Sequence, residues 1–248
     1  MKTEAPQLTS ETRYERKYRC TYQQYFAVKN ALYTYIQPDP YTQSSPLNQY
    51  LVRSLYYDSH DFPILLEKIN GNCSRFKFRI RTYGDSAKQS PDIRVEIKVR
   101  QVNLTKKFGA FIDQIACEQF LHNRHFTNQE DLVLMEFERQ IHSKGLFPKT
   151  LVEYRREGFD TKWQDNIRIT FDHKMKCAAA RTLFPEQISW QHLIDPIIVL
   201  EIKHKEELPG WLLKIIRDND LRMVSNSKFA LGMFNSRRDL IFPGWRHV

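Results

Sequence analysis

Cysteine is scarce in this 248-residue chain, and its four copies, Cys20, Cys73, Cys117 and Cys177, are scattered without a Cys-x-x-Cys pair. That spacing argues against a metal cluster and makes a reducing, cytoplasmic setting the default expectation. Long apolar runs are missing too. None reaches the roughly 18 residues that span a bilayer, so no transmembrane segment is expected. Residues 1–12 form a polar leader without the apolar stretch of a secretory signal. There is no internal repeat, low-complexity tract or linker. What the chain has in excess is positive charge, 38 Lys and Arg against 29 Asp and Glu, for a net charge of +9. With 27% charged and 41% apolar residues it reads as globular, with material for one large domain or two small ones. The sign of the charge points to anionic partners such as phosphates, nucleic acid or a membrane surface.

The cations are arranged with a period of two. In the stretch 75–84, Arg75, Lys77, Arg79 and Arg81 alternate with Phe76, Phe78 and Ile80. A strand sends alternate residues to opposite faces, so the four cations share one face and the large apolar groups the other. Residues 93–100 repeat the pattern with Arg94, Glu96, Lys98 and Arg100, and the two segments read as a hairpin. A single strand of this kind usually turns its charges to water. Here the signature recurs at Arg13, Glu15, Lys17 and Arg19, and at Arg168, Thr170 and Asp172. A basic face that lines an interior needs a polyanion among its charges, because desolvating each ion costs several kcal/mol.

Along the chain, Thr21-x-x-Gln24 reads as a capping box, followed by a helix whose apolar stripe is Tyr25, Val28, Leu32 and Ile36 and which ends before Pro38. Residues 37–49 read as a loop, 51–58 as a strand, and 61–69 as a short helix or turn. A strand or loop over 103–111 carries Lys106 and Lys107, and helices are expected over 113–124 and 129–143. Strands follow at 151–157, 166–172 and 197–204, then helices over 210–219 and 227–235. Seven to nine strands with interspersed helices describe an α+β, mainly β domain, an antiparallel barrel with its helices outside and a charged interior. The inward set is Lys17, Lys77, Arg79, Arg81, Lys98, Arg156, Arg168 and Lys203, with Glu15, Glu96 and Glu201 among them. Glu201 follows a fully apolar run and is expected to be buried. Such carboxylates serve either as salt-bridge partners or as ligands for Mg²⁺ or Mn²⁺. His122-x-x-His125 lacks a third ligand and reads as helix surface rather than a zinc site. Aromatics interleaved with cations can bind single-stranded nucleic acid, but these lie on the face opposite the cations, so no specific nucleic acid is expected.

Arg13-x-Glu15-x-Lys17-Tyr18, Leu55-Tyr56-Tyr57-Asp58, Arg79-x-Arg81-x-Tyr83-Gly84 and Glu96-x-Lys98 occur in this order. They continue with Tyr154-x-Arg156, Arg168-Ile169-Thr170, Leu200-Glu201-x-Lys203 and Ser227-Lys228-Phe229. Together they resemble the catalytic domain of the vacuolar transporter chaperone (VTC) family of polyphosphate polymerases, among the triphosphate tunnel metalloenzymes. The resemblance runs from about Arg13 to Phe234 and implies one domain over 13–248, an eight-stranded closed tunnel barrel. It implies ATP and inorganic polyphosphate as substrates, a divalent metal, Mn²⁺ or Mg²⁺, and transfer of the γ-phosphate onto a growing chain. By matching motifs, Lys17, Arg79, Arg81, Lys98, Arg156, Arg168, Lys203 and Lys228 would contact phosphates. Lys77, Lys106, Lys107, Glu15, Glu96 and Tyr83 would line the substrate path, and Glu201 would be the metal-linked carboxylate. The superfamily's first N-terminal Glu is Arg13 here, which disfavours the hydrolase branches. No regulatory domain is expected before the barrel and no membrane segment after it, unlike the family's eukaryotic subunits, which argues against regulation and translocation through this chain alone and leaves room for association with a membrane partner protein. A triphosphatase and a non-enzymatic polyphosphate-binding module are the alternatives.

Overall fold

A computed structural model describes residues 14–84, 92–101, 104–163, 166–193 and 197–237. The polar leader, Arg13 and the tip of the first hairpin lie outside these residues. The opening alternation forms strand β4 (Ser74–Thr82), antiparallel to β5 (Ile93–Gln101), which pairs in turn with β6 (Leu104–Ile112). β3 (Tyr50–Asp58) lies on the other side of β4, beside the long β7 (Phe147–Thr161). β8 (Arg168–Ala179), β10 (Ile198–His204) and β1 (Tyr14–Cys20) complete the row. Two short strands pair off this path, β2 (Ile36–Pro38) with β7 and β9 (Gln191–His192) with β8.

The expected eight-stranded closed barrel needs correction. The described residues form a ten-stranded antiparallel sheet in the order β1-β10-β8-β7-β3-β4-β5-β6, and its two ends are not joined by backbone hydrogen bonds. The sheet nonetheless curls until its ends face each other. Lys98 Nζ on β5 approaches Glu15 Oε2 on β1 at 3.4 Å, a side-chain contact across the seam.

Burial follows the alternation. On one side of the sheet, Leu55, Phe78, Ile80 and Val95 are sealed beneath α4 (Gln114–Asn123) and α5 (Leu132–Ser143). α5 starts at its N-cap Asp131, whose carboxylate accepts from the amides of Val133 and Leu134. It turns Leu134, Phe137 and Ile141 inward at helical spacing, each worth about 1.5–3 kcal/mol when fully buried. A second apolar cluster joins the outer sides of β1, β8 and β10 to α1 (Tyr22–Leu32) and α6 (Gly210–Asp218). The capping box at Thr21 and Gln24 is present. α1 stops at Leu32, however, because Ile36 is taken up by β2, and Pro40–Ser44, expected as loop, form the short helix α2 with Asp39 as N-cap. α3 (Pro63–Ile69) occupies the predicted short helix.

Not every helix is outside. Register puts Thr150, Val152, Tyr154 and Arg156 of β7 on the same face as Ser54, Tyr56, Arg79 and Arg81. α7 (Lys228–Ser236) packs on that face, with Phe229 against Tyr56 and Gly232 directly over Val152 and Thr150. A Cβ at Gly232 would sit 2.7 Å from Val152 Cγ2, so the close approach depends on glycine. Helix α7 therefore fills part of the concave side.

Candidate polyanion-binding cleft

The strand pairs bring the predicted cations into rows across the concave face. Lys17 lies opposite Glu201, and Glu15 opposite Lys203. Arg156 lies opposite Asp172, Arg79 opposite Glu96, and Lys77 opposite Lys98, itself opposite Lys107. Lys107 therefore points inward and pairs with Glu96, whereas Lys106 pairs with Val99 on the opposite face. Lys106 is not brought to the site.

Two regions differ in how their charge is compensated. In the deep region Arg156 Nε donates to Asp172 Oδ1 at 2.6 Å and its Nη2 to Asp172 Oδ2 at 2.8 Å. Lys228 Nζ lies 2.5 Å from Asp172 Oδ2 and 2.6 Å from Glu201 Oε1. Lys17 Nζ is 3.5 Å from Glu201 Oε1, and Arg156 Nη2 donates to Glu201 Oε2 at 3.3 Å. Burial alone would raise the Glu201 carboxyl, but Lys17, Lys228 and Arg156 outweigh it and hold it well below the usual carboxylate range. Arg79 pairs with Glu96, and its Nη1 donates to the Tyr56 hydroxyl at 3.2 Å. Arg168 is set apart. Its Nη2 donates at 2.6 Å to Asp39, which reaches it over Gly158, where any Cβ would overlap the Asp39 carboxylate.

Other cations meet only neutral oxygen or none. Arg81 donates to the Ser54 hydroxyl at 3.0 Å and, from Nη2, to the Tyr154 hydroxyl at 3.4 Å. Lys77 Nζ donates to Ser227 Oγ at 3.1 Å. Lys203 has no hydrogen-bond or ion-pair partner among the described residues; burial first, then Arg156, pushes its amine down to about 7 against the pull of Glu201 and Glu15. Burial and the neighbouring Lys98 and Lys17 also depress Lys77 strongly. Lys107 is lowered to about 7 by burial despite Glu96 beside it. In all three, burial acts first and neighbouring cations add to it.

The cleft opens at the seam into a cavity of about 610 Å³, lined by Glu15, Lys17, Lys68, Arg75, Lys77, Lys98 and Arg100 and by residues 223–227. Lys68, Arg75, Arg100 and Asn226 lie outside the family motifs. Arg75 belongs to the alternating stretch and Asp172 shares a face with Arg168, so both carried a signal. Lys68 and Asn226 arrive from a helix and a loop, where no period announces them. Tyr83 stacks on Tyr41 beside Tyr50, away from the lysine-lined cavity.

The carboxylates do not make a metal cage. Among the described residues no three His, Cys, Asp or Glu side chains group around one point, and the oxygens of Glu201 are held by Lys228, Lys17 and Arg156. The donor set fits an ion-pair cluster and not a metal held by protein alone. His125 pairs with Glu138, and all four cysteines are free thiols. No helix among the described residues is long and apolar enough to cross a membrane.

The strands build a curled antiparallel β-sheet whose concave face is rich in cations. The chain belongs to the VTC-domain family, whose model matches residues 12–236. Among solved structures it is similar to a candidate adenylate cyclase from Bacillus halodurans, at 13% identity and a TM-score of 0.55, covering 94% of this chain and 98% of that one. It also matches a candidate adenylate cyclase from Vibrio parahaemolyticus, at 10% identity and a TM-score of 0.49, covering 90% and 98%. The first likeness shows a shared fold. No curated protein matches the chain.

Proposed function

We propose that this protein is a polyphosphate polymerase that transfers the γ-phosphate of ATP onto a growing inorganic polyphosphate chain. The observation that carries this reading is the cleft's surplus of cations over carboxylates, with Lys77, Arg81 and Lys203 lacking any acidic hydrogen-bond partner among the described residues. Membership of the VTC-domain family supports it. Phosphoryl transfer asks the protein for alignment and for stabilisation of charge on the transferring oxygens, not for a protein nucleophile. Arg79 and Arg81 present guanidinium forks suited to paired phosphate oxygens, and Lys98, Lys203 and Lys77 supply movable point charges. The deep ion pairs of Arg156, Lys228 and Lys17 hold the rows in register, and their ammonium and guanidinium groups can turn to a triphosphate. An acceptor chain is itself a polyanion, so donor and acceptor must be held together by cations, with water kept from the γ-phosphate. A divalent ion, Mn²⁺ or Mg²⁺, would supply further charge neutralisation on the phosphates; the protein's own donors do not assemble its site.

Incubation with ATP and either metal, followed by gel separation of chains from orthophosphate, tests the reading. Polyphosphate should accumulate, and a short primer should shorten any lag. Orthophosphate as sole product, indifferent to primer, would make the protein a triphosphatase. Binding without turnover under either metal would leave a polyphosphate-binding module.

A further inference from the structure

The three-residue strap Ser225-Asn226-Ser227 lines the cavity at the seam, where three lysines donate to its neutral oxygens. Lys68 Nζ donates to Ser225 Oγ at 3.2 Å, Lys17 Nζ to the Asn226 carbonyl at 3.1 Å, and Lys77 Nζ to Ser227 Oγ at 3.1 Å. An ammonium gains more from an anionic acceptor than from a hydroxyl or carbonyl, so these contacts are poor ends for Lys68 and Lys77, whereas Lys17 also reaches the carboxylates of Glu15 and Glu201. Arg75 lines the same cavity. The strap also contains an anomaly. Asn226 is only 3% exposed, yet among the described residues neither its amide nitrogen nor its amide oxygen has a partner. A buried orphan amide costs roughly 1–3 kcal/mol, a cost that a folded wall of a cavity normally avoids.

From the proposed polymerase reading, on which this rests, we infer that the mouth formed by Lys68, Arg75, Lys77 and Asn226 is a separate seat for linear polyphosphate, gripping chain beyond the three phosphates held deeper by Arg79, Arg81 and Lys203. Phosphate oxygens there would take over the lysines from the strap. Releasing Lys17 and Lys68 from its oxygens frees the strap to present the Asn226 amide as a donor to the chain. The depressed amines of Lys68 and Lys77, caused first by burial and then by neighbouring cations, agree with a seat made for negative charge. Because Lys68 and Arg75 lie outside the deep rows, their effect should depend on chain length.

The test measures the affinity of the full chain for tripolyphosphate and for long-chain polyphosphate by titration calorimetry. Lys68→Ala/Arg75→Ala should weaken long-chain binding about tenfold, as expected for two lost charge-assisted contacts, and change tripolyphosphate binding by less than about twofold. Lys162→Ala/Lys214→Ala removes the same charge from exposed positions elsewhere and should leave both affinities near wild type. Asn226→Leu should weaken long-chain binding without lowering the melting temperature of the free protein, since the orphan amide is gone. Equal losses for both ligands, or equal losses in the control pair, would overturn the separate seat. A lowered melting temperature with unchanged long-chain affinity would make Asn226 structural and remove it from the seat. Failure of the wild-type protein to bind either phosphate would instead overturn the polymerase reading itself.

Discussion

Lys203 shows how a single residue reports on the whole cleft. It lies opposite Glu15 in β1 and Arg168 in β8, and burial takes its amine to about 7. The fold thus disfavours the charged form. Between pH 7 and the ordinary lysine range near 10.5, the unfolded chain binds more protons here than the folded one, so this residue's contribution makes stability rise with pH across that window. A bound polyanion reverses the preference by favouring the ammonium. Tripolyphosphate binding at pH 8 should therefore take up protons, and affinity should fall as pH rises from 7 to 9. Calorimetry in buffers of different ionisation enthalpy measures the uptake, which should shrink in Lys203→Met; Lys107, also at about 7, and Lys77 account for what remains. Binding with no proton uptake would mean that these amines are already charged in the free protein. At this scale, the facing of the candidate residues is legible from spacing. Lys17, Arg79, Arg81, Lys98, Arg156 and Lys203 share the face that strict alternation assigns them. Neighbouring lysines are harder to separate: only the β5–β6 register tells Lys107 from Lys106. The identity of each acid's partner was not readable at all, since Asp172 with Lys228 and Asp39 with Arg168 are joined by tertiary packing alone.

Among the elements, strands announced themselves, but apart from the β4–β5 hairpin their partners did not. A period of two places a residue on a face but says nothing of which strand lies alongside, and the short β2 and α2 have too few residues to show any period. Helix α7 was legible as a helix, capped at Ser227. Its position on the concave side was not, because an apolar stripe fits an inner wall as well as an outer one. That position is delicate. Gly232→Ala would gain up to about 1 kcal/mol of helix propensity, but the added methyl meets Val152 and Thr150, an overlap that typically costs about 1–3 kcal/mol in a packed interior. The expected result is a lower melting temperature and a weaker tripolyphosphate-induced rise in it, as α7 lifts and carries Lys228 away from Asp172 and Glu201. An unchanged melting curve would show that α7 can shift on β7 without consequence.

For the whole molecule, the curl of the sheet has two effects. It seals apolar side chains beneath helices on the outer side, α7 covers others on the inner side, and the basic strand faces are gathered around one cleft. Closure of the barrel was overestimated because alternation is the same in an open sheet and a closed one. The carboxylates scattered among the cations have a consequence at this scale. Glu15, Glu96, Asp172 and Glu201 act as resident counterions, already present before any ligand arrives. Binding a polyphosphate is then partly an ion exchange, in which fixed anions give up their cations to a mobile one, and fewer salt ions are released to solution than the number of cations would imply. The slope of log affinity against log salt concentration should accordingly follow the few uncompensated groups, Lys77, Arg81, Lys203 and the mouth, and fall well short of the full set of inward cations. A slope equal to that full set would show the carboxylates to be bystanders. If they are exchangers, the cleft carries its own internal buffer against changes in ionic strength, and its grip on a polyanion should vary little where a bare basic groove would let go.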